Sequence, residues 1–566
     1  MFAVILVPLL PLLASLIVLV GDEGSRNLRA KIAACPIGTA FLGAMATLWL
    51  VATEGPITIR FYDPASLAPL TFPMGLYIDR LSAVMMVLIS GVGTIIYTYS
   101  IGHLYQDHHD RRFLALIGFT VSVLLCLVSS ANLMMLFLLW QVISCLLYLL
   151  AHNHSHDATR RGAVRTFTLL RVGDVAFLAG IVLAHSLYGT LEFQELFARA
   201  AESTATVPLL LGIEISGATA VTSLLFIGAM SKSAQFPLFI WLPGYLYAPT
   251  PATALLHAGI INAGGFLINR LAPLFGLSPT TLHVALVVGA LTAVLGATMM
   301  LVQNDIKNTL GFSTIGQMGY MIMECGLGAF SLAVFHLIAH GLFKATMFLN
   351  SGNVIHKARQ EPASPHADPH AEEREFSRLT WFTGFTTTLL IPLLILLVTH
   401  GVLHIPLLES QGTVIFLFFI WVTSSQAILT LIRLRAVASW KVSVAMLLIL
   451  LFVVFNYLFA VESFTEFLYP NPAEVATYFQ AAALHTWLFD GLIGGTALVI
   501  ILGWFYIYAK AHGQTMWVPN LTEGLRHRLY VLFLNRLYVD QANERLGWAV
   551  THVIRSIDSR AKRRAP

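Results

Sequence analysis

The chain has 566 residues, of which 57% are hydrophobic and only 11% charged. A soluble domain carries about twice that charged fraction, so the composition excludes one and points to a polytopic membrane protein. The net charge of +4 asks for no nucleic-acid partner, and the four cysteines, Cys35, Cys126, Cys145 and Cys325, form no CxxC pair, which suggests neither a metal site nor a disulfide framework.

Residues 1–20 are apolar from the start, lack a basic leading segment and read as a first transmembrane helix rather than a cleaved signal. Further apolar runs of spanning length lie near 30–52, 78–101, 113–130, 132–151, 163–186, 217–240, 250–271, 281–302, 308–326, 329–350, 379–399, 412–433, 442–461 and 484–509. The expected fold is therefore all-α, with about fifteen transmembrane helices. Residues 191–205 read as a surface helix between spans, and 360–374, rich in Pro, His and Glu, as a solvated loop. Within the more polar tail 511–566, the segment 529–547 mixes apolar residues with Arg536, Asp540, Glu544 and Arg545, a pattern expected of an amphipathic helix on the membrane surface or against a partner. The basic run 560–564 reads as a solvated end close to the membrane.

Basic residues alternate between loops. Arg29, Lys31, Arg111, Arg112, Arg160, Arg161, Lys307, Arg433 and Lys441 fall on one side, with the basic tail. Arg60, Arg80, Arg199 and Arg270 fall on the other, with the acidic stretch of Glu462, Glu466 and Glu474. The positive-inside rule then puts the C-terminus in the cytoplasm and the N-terminus outside.

Residues 230–270 organise the rest. Lys232 ends an apolar run, Pro237, Pro243, Pro249 and Pro251 follow, and the next run carries His257. Ionisable side chains and unpaired backbone groups are both costly in lipid, so a lysine beside a proline-broken helix suggests a water-lined cavity. The plainer alternative is a loop with a snorkelling lysine. Desolvation and a nearby carboxylate act oppositely on a lysine, so one with a movable partner is able to take up and release a proton. Arg171 and Asp174, three apart in mid-span, share a helix face and form either a structural ion pair or part of a proton path.

His336, His340 and Lys344, at i, i+4 and i+8, line one face over roughly 12 Å, a spacing that suits a proton wire. A di-histidine zinc site and two histidines bonded between helices are the alternatives. Asp305 and Lys307 begin the tenth span and are either a proton uptake point or a solvated cap, and Glu324 near the span's other end is a candidate exit group. The histidines of 152–156 and 366–370 lie in solvated loops, and no nucleophile–His–acid arrangement or glycine-rich nucleotide loop is present.

The words Lys232-Ser233-Ala234-Gln235, Trp241-Leu242-Pro243, Ala248-Pro249-Thr250-Pro251 and Ala254-Leu255-Leu256-His257-Ala258 resemble the proton-conducting antiporter-like membrane subunits of respiratory complex I and of multi-subunit cation/proton antiporters. The resemblance covers most of 77–355 and includes Phe335-His336, His340 and Phe343-Lys344-Ala345. It implies two inverted five-helix repeats with broken helices, at 113–271 around Lys232 and at 281–435 around Lys344. N-terminal helices (1–112), C-terminal helices (436–510) and the tail (511–566) flank them. It also makes Lys232 a central proton carrier and His257 a link along the polar axis.

Two departures stand out. The family pairs the lysine with a glutamate in a Trp-Glu word, and here the word is Trp140-Gln141, which leaves Asp174 as the candidate replacement. Between Ile391-Pro392 and His404 no acidic residue or lysine follows, so His400 or His404 is all that remains for the second exit.

These departures, with words such as Asn262-Ala263-Gly264-Gly265-Phe266, look most like the membrane subunits of two-component bacterial inorganic-carbon accumulation complexes. That resemblance implies a bacterial inner-membrane protein with no cofactor and no catalytic chemistry of its own. It implies a large soluble β-carbonic-anhydrase-like partner of the DabA type, which holds the zinc and docks on the cytoplasmic loops and tail. Proton or sodium flow through this chain would drive CO2 hydration there. The alternative is a proton-translocating subunit of an NADH:quinone oxidoreductase or of a cation/proton antiporter. A passive scaffold is the third reading.

Overall fold

The computed structural model describes residues 2–20, 26–62, 74–103, 110–151, 157–208, 214–246, 248–360, 463–491 and 523–539, with isolated positions elsewhere. The expected spans 379–399, 412–433 and 442–461 therefore lie almost wholly outside the described residues, as do His400, His404 and the loop 361–374.

The N-terminal helices are α1 (Phe2–Leu19), α2 (Arg26–Glu54), α3 (Arg80–His103), α4 (Asp110–Val128), α5 (Leu133–Ala151) and α6 (Asp157–Tyr188). The short α7 (Phe193–Glu202) precedes the broken elements α8 (Gly217–Lys232), α9 (Trp241–Tyr245), α10 (Thr250–Ala258), α11 (Ala263–Arg270) and α12 (Ala272–Phe275). Three long helices follow, α13 (Pro279–Leu301), α14 (Ile306–Gly326) and α15 (Phe330–Gln360), and then α16 (Phe464–Leu468), α17 (Pro472–Ala482) and α18 (Glu523–Leu534). Among the described residues, 8 helices are long and apolar enough to cross a membrane. The chain is thus a multi-pass helical membrane protein.

The sequence reading differs from the structure in two places. Two small antiparallel hairpins accompany the helices, β1 (Ile57–Tyr62) with β2 (Met74–Ile78) and β3 (Thr206–Pro208) with β4 (Glu214–Ser216). They sit between spans, where backbone can pair outside the helices. The runs 217–240 and 250–271, read as two spans, are both interrupted: α8 stops at Lys232, and α10 gives way at Gly259 to a 3-10 turn, Ile260–Asn262, before α11.

The predicted surface helix is α7, with Phe193, Leu196 and Ala200 buried along one side and Glu195 paired to Arg199 on the other. The Thr190 hydroxyl, with Arg199, holds the Glu195 carboxyl below the usual carboxylate range against the opposing effect of burial. β2 bridges from Leu76 to Ser130, and Asn132 bridges to Glu192, so the β1–β2 hairpin, the α4–α5 turn and the start of α7 form one layer. Arg60 lies in that layer, 2.8 Å from Glu192. Arg270 reaches the layer from α11, 2.6 Å from Asp79. Arg60, Arg199 and Arg270 therefore lie in or against this one layer.

The helices pack through small residues, as expected where lipid supplies no hydrophobic drive between helices. Gly289 and Gly296 of α13 lie directly against the α14 backbone, and Gly316, Gly319 and Gly326 of α14 lie against that of α13. Gly173 of α6 admits Ser231 of α8 into the space a Cβ would take, and Gly228 meets Phe177. This close α6–α8 contact brings the Arg171–Asp174 stretch to the end of α8.

Candidate proton path

The break after α8 is a built feature. A helix end leaves carbonyls unpaired, which is costly away from water. Here Ser233 caps α8 through its backbone amide to Ala229, and Gln235 N–H donates to the Met230 carbonyl at 2.9 Å. The Trp241 indole donates to the Ser231 carbonyl at 2.8 Å, and the Ser233 hydroxyl donates to Ile261 O at 2.6 Å. Ala234 takes up the turn with φ of 50°, in the left-handed region. These bonds span the break and hold the Lys232 side chain inside the bundle.

Lys232 is 1% exposed. Its ammonium donates to the Ser144 hydroxyl at 2.6 Å and to the Trp140 carbonyl at 3.3 Å, and lies 4.9 Å from the centre of the Trp140 ring. A buried ammonium needs such partners, and the ring face contributes as a cation–π contact. The Trp140 indole N–H donates to Asp174 Oδ1 at 2.9 Å. Arg171 stands 2.8 Å from Asp174 Oδ2, donates to Gln141 Oε1 and packs over Phe167 at 4.5 Å. No ion pair joins Asp174 to Lys232 directly, and Trp140 lies between them. The structure thus gathers Lys232, Asp174, Arg171 and Gln141 into one cluster, with Trp140 and Ser144 at its centre.

His257 is fully buried and stacks on Phe348 of α15, ring centres 4.2 Å apart. Its two ring nitrogens find no hydrogen-bond partner among the described residues, nor do those of His340. Gly341 lies against the Ala258 carbonyl, and the Asn262 amide donates to that oxygen at 3.0 Å. Tight α10–α15 packing therefore places His257 within electrostatic reach of Lys344 and of His340.

On α15, His336 Nδ1 lies 3.1 Å from Glu324 Oε2, and Nε2 lies 2.9 Å from Gln317 Oε1, both on α14. The His336 and His340 rings are 6.4 Å apart. Lys344, 1% exposed, donates to the Leu310 carbonyl at 3.3 Å. The three residues thus share a row, as the spacing predicts, and α14 supplies partners for two of them. Glu324 faces His336 within hydrogen-bond distance.

At the other end of α14, Asp305 is the N-cap and accepts from the Asn308 amide at 3.1 Å. Lys307 donates to Leu246 O at 3.5 Å and Ala248 O at 3.3 Å, the carbonyls that end α9 and precede α10.

Sequence reasoning passes over Ser144, Gln317 and the Arg270–Asp79 pair. Ser144 follows Trp140 by one helical turn in an apolar span, and that polar placement is a usable signal. Asp79 and Arg270 are 191 positions apart and give no local sign of meeting.

A family model described as "NADH:quinone oxidoreductase/Mrp antiporter, TM" matches residues 130–403, and one described as "NADH-Ubiquinone oxidoreductase (complex I), chain 5 N-terminus" matches 65–114. The chain is 38% identical over 555 residues to the "Probable inorganic carbon transporter subunit DabB1" of Halothiobacillus neapolitanus, covering 96% of each chain. This chain belongs to the antiporter-like membrane subunit family. It is also 33% identical to NADH-quinone oxidoreductase subunit L of Neisseria meningitidis, across 67% of this chain and 57% of that protein. Against these longer antiporter-like subunits the chain spans little more than half their length. In fold it matches the Mrp complex from Dietzia sp. DQ12-45-1b, with TM-score 0.53 and 19% identity over 100% of this chain and 62% of that one. Respiratory complex I from Thermus thermophilus gives TM-score 0.55 and 19% identity, over 85% of this chain and 100% of the other.

Proposed function

We propose that this chain is the ion-conducting membrane subunit of a two-component inorganic-carbon uptake complex in the bacterial inner membrane. Protons, or another cation, pass through it and drive CO2 hydration by a large soluble carbonic-anhydrase-like partner. Zinc is expected in that partner, and the catalytic chemistry belongs there. The observation that carries the reading is the likeness to DabB1, which runs across 96% of both chains. The likeness to subunit L stops at 57% of that protein.

The conducting groups are Lys232, with Asp174 in place of the family's glutamate, then His257, His340, Lys344 and His336. The unpaired ring nitrogens of His257 and His340 support this, because buried imidazole nitrogens are costly unless water or protein serves them. Asp305 and Lys307 would lie at the cytoplasmic port, and Glu324, paired to His336, at the far one. The C-terminus would be cytoplasmic, with the partner docked on the cytoplasmic loops and tail.

The test is purification of the tagged chain from its native membranes. The proposal expects one large soluble subunit in equal amount, carrying zinc, with both proteins required for growth at low CO2. Recovery of a multi-subunit redox or antiporter assembly in its place would support the alternative.

A further inference from the structure

Two adjacent residues on α5 each hold one half of the ion pair on α6. Trp140 donates its indole N–H to Asp174 Oδ1 at 2.9 Å, and Gln141 accepts from Arg171. The same Trp140 meets Lys232 twice more, through its carbonyl at 3.3 Å and its ring face at 4.9 Å. One rigid side chain therefore touches both the carboxylate and the ammonium. It is 1% exposed and is braced by Phe177 at 5.3 Å, edge to face. A planar indole so packed cannot turn at one contact without moving the others.

Resting on the conduction reading above, we infer that Trp140 is a positioning residue that relays the state of the Arg171–Asp174 pair to Lys232. When Arg171 holds Asp174, the indole is fixed with its face to the ammonium. When Arg171 withdraws from the carboxylate, or the carboxylate takes a proton, the indole bond changes, and the ring shifts against Lys232. The glutamine at 141 fits this arrangement. It grips the guanidinium without adding a second carboxylate, so Asp174 remains the one anion that Arg171 and Trp140 share. Ser144 gives Lys232 a contact that does not depend on the indole, since its hydroxyl accepts from the ammonium at 2.6 Å and donates to the helix carbonyl of Trp140 at 3.2 Å.

The experiment is a double-mutant cycle read as the pH profile of proton flux in proteoliposomes holding the full chain with its partner. The variants are Trp140→Phe, which keeps a ring and loses the N–H, Asp174→Asn, and the two together. Lys232→Ala is the control. Each single variant is expected to move the flux midpoint by about half a pH unit or more, the order expected for loss of one charge-assisted hydrogen bond. The double variant is expected to move it no further than one single variant, because the relay is already cut. Additive shifts, or a Trp140→Phe midpoint equal to wild type, would overturn the relay. Should Trp140→Phe not assemble, Arg171→Gln replaces it and must likewise lose its effect in the Asp174→Asn background. If flux survives Lys232→Ala unchanged, the conduction reading itself falls and takes the relay with it. If Lys232→Ala abolishes flux while the cycle is additive, only the relay is wrong.

Discussion

Arg270 shows how this chain buries charge at the end of the bundle. It is 4% exposed, lies 2.6 Å from Asp79, donates to Ser82 and to Val128 O, and stands 5.4–5.6 Å from the rings of Tyr77, Phe193 and Phe266. Burial pushes the Asp79 carboxyl up, but Arg270 and the Ser82 amide and hydroxyl together hold it below the usual carboxylate range. A carboxyl held low in the folded state contributes stability at every pH above its unfolded value, about 4, and loses it as pH falls through the lower folded value. Thermal stability should therefore hold from neutral pH to about 4 and fall below that. Asp79→Asn should remove this acid-dependent part and cost about 3–5 kcal/mol at neutral pH, since it strands a buried guanidinium. Thermal unfolding in detergent across that pH range checks both. An unchanged melting temperature in Asp79→Asn would remove the pair from the stability account. In the sequence, Lys232 and His336, His340 and Lys344 are legible, because charge in apolar runs is costly and helical spacing puts residues on one face. The Arg270–Asp79 pair is not, because only the tertiary fold joins them.

At the scale of elements, the proposed path depends on where helices stop and how closely they pack. Prolines between 237 and 251 reveal that a helix breaks there, but not that it stops at Lys232 itself. That depends on the Ser233, Gln235 and Trp241 bonds, which reach across the break. The interruption at Gly259 is hidden in the same way inside a run apolar enough to read as one span. The hairpins are missed because strands of 3 to 6 residues between spans carry too little alternation to register. Helix contact on α13 and α14 is more legible, since glycines recur on both. A Cβ at Gly296 would collide with the Gly316 backbone. Gly296→Val should therefore force the two helices apart and destabilise the chain by about 1–3 kcal/mol. The same change at Gly38, where nothing lies within 4 Å, should leave the melting temperature nearly unchanged. Equal effects at the two sites would contradict the packing account.

At the scale of the whole molecule, the bundle carries, among the described residues, two buried lysines, each 1% exposed and each bonded to carbonyl or hydroxyl oxygen rather than to a carboxylate. His257 and His340 lie within electrostatic reach of the second of them. Such groups cost stability, and packing alone gives no reason to keep them. A proton path does. The most direct measurement is proton flux, in liposomes of the purified complex, for wild type, Lys232→Ala and Lys344→Ala. Wild-type chain should carry protons, and each substitution should lower the flux at least about tenfold and abolish growth at low CO2 at normal expression. Wild-type flux and growth in both variants would contradict the account.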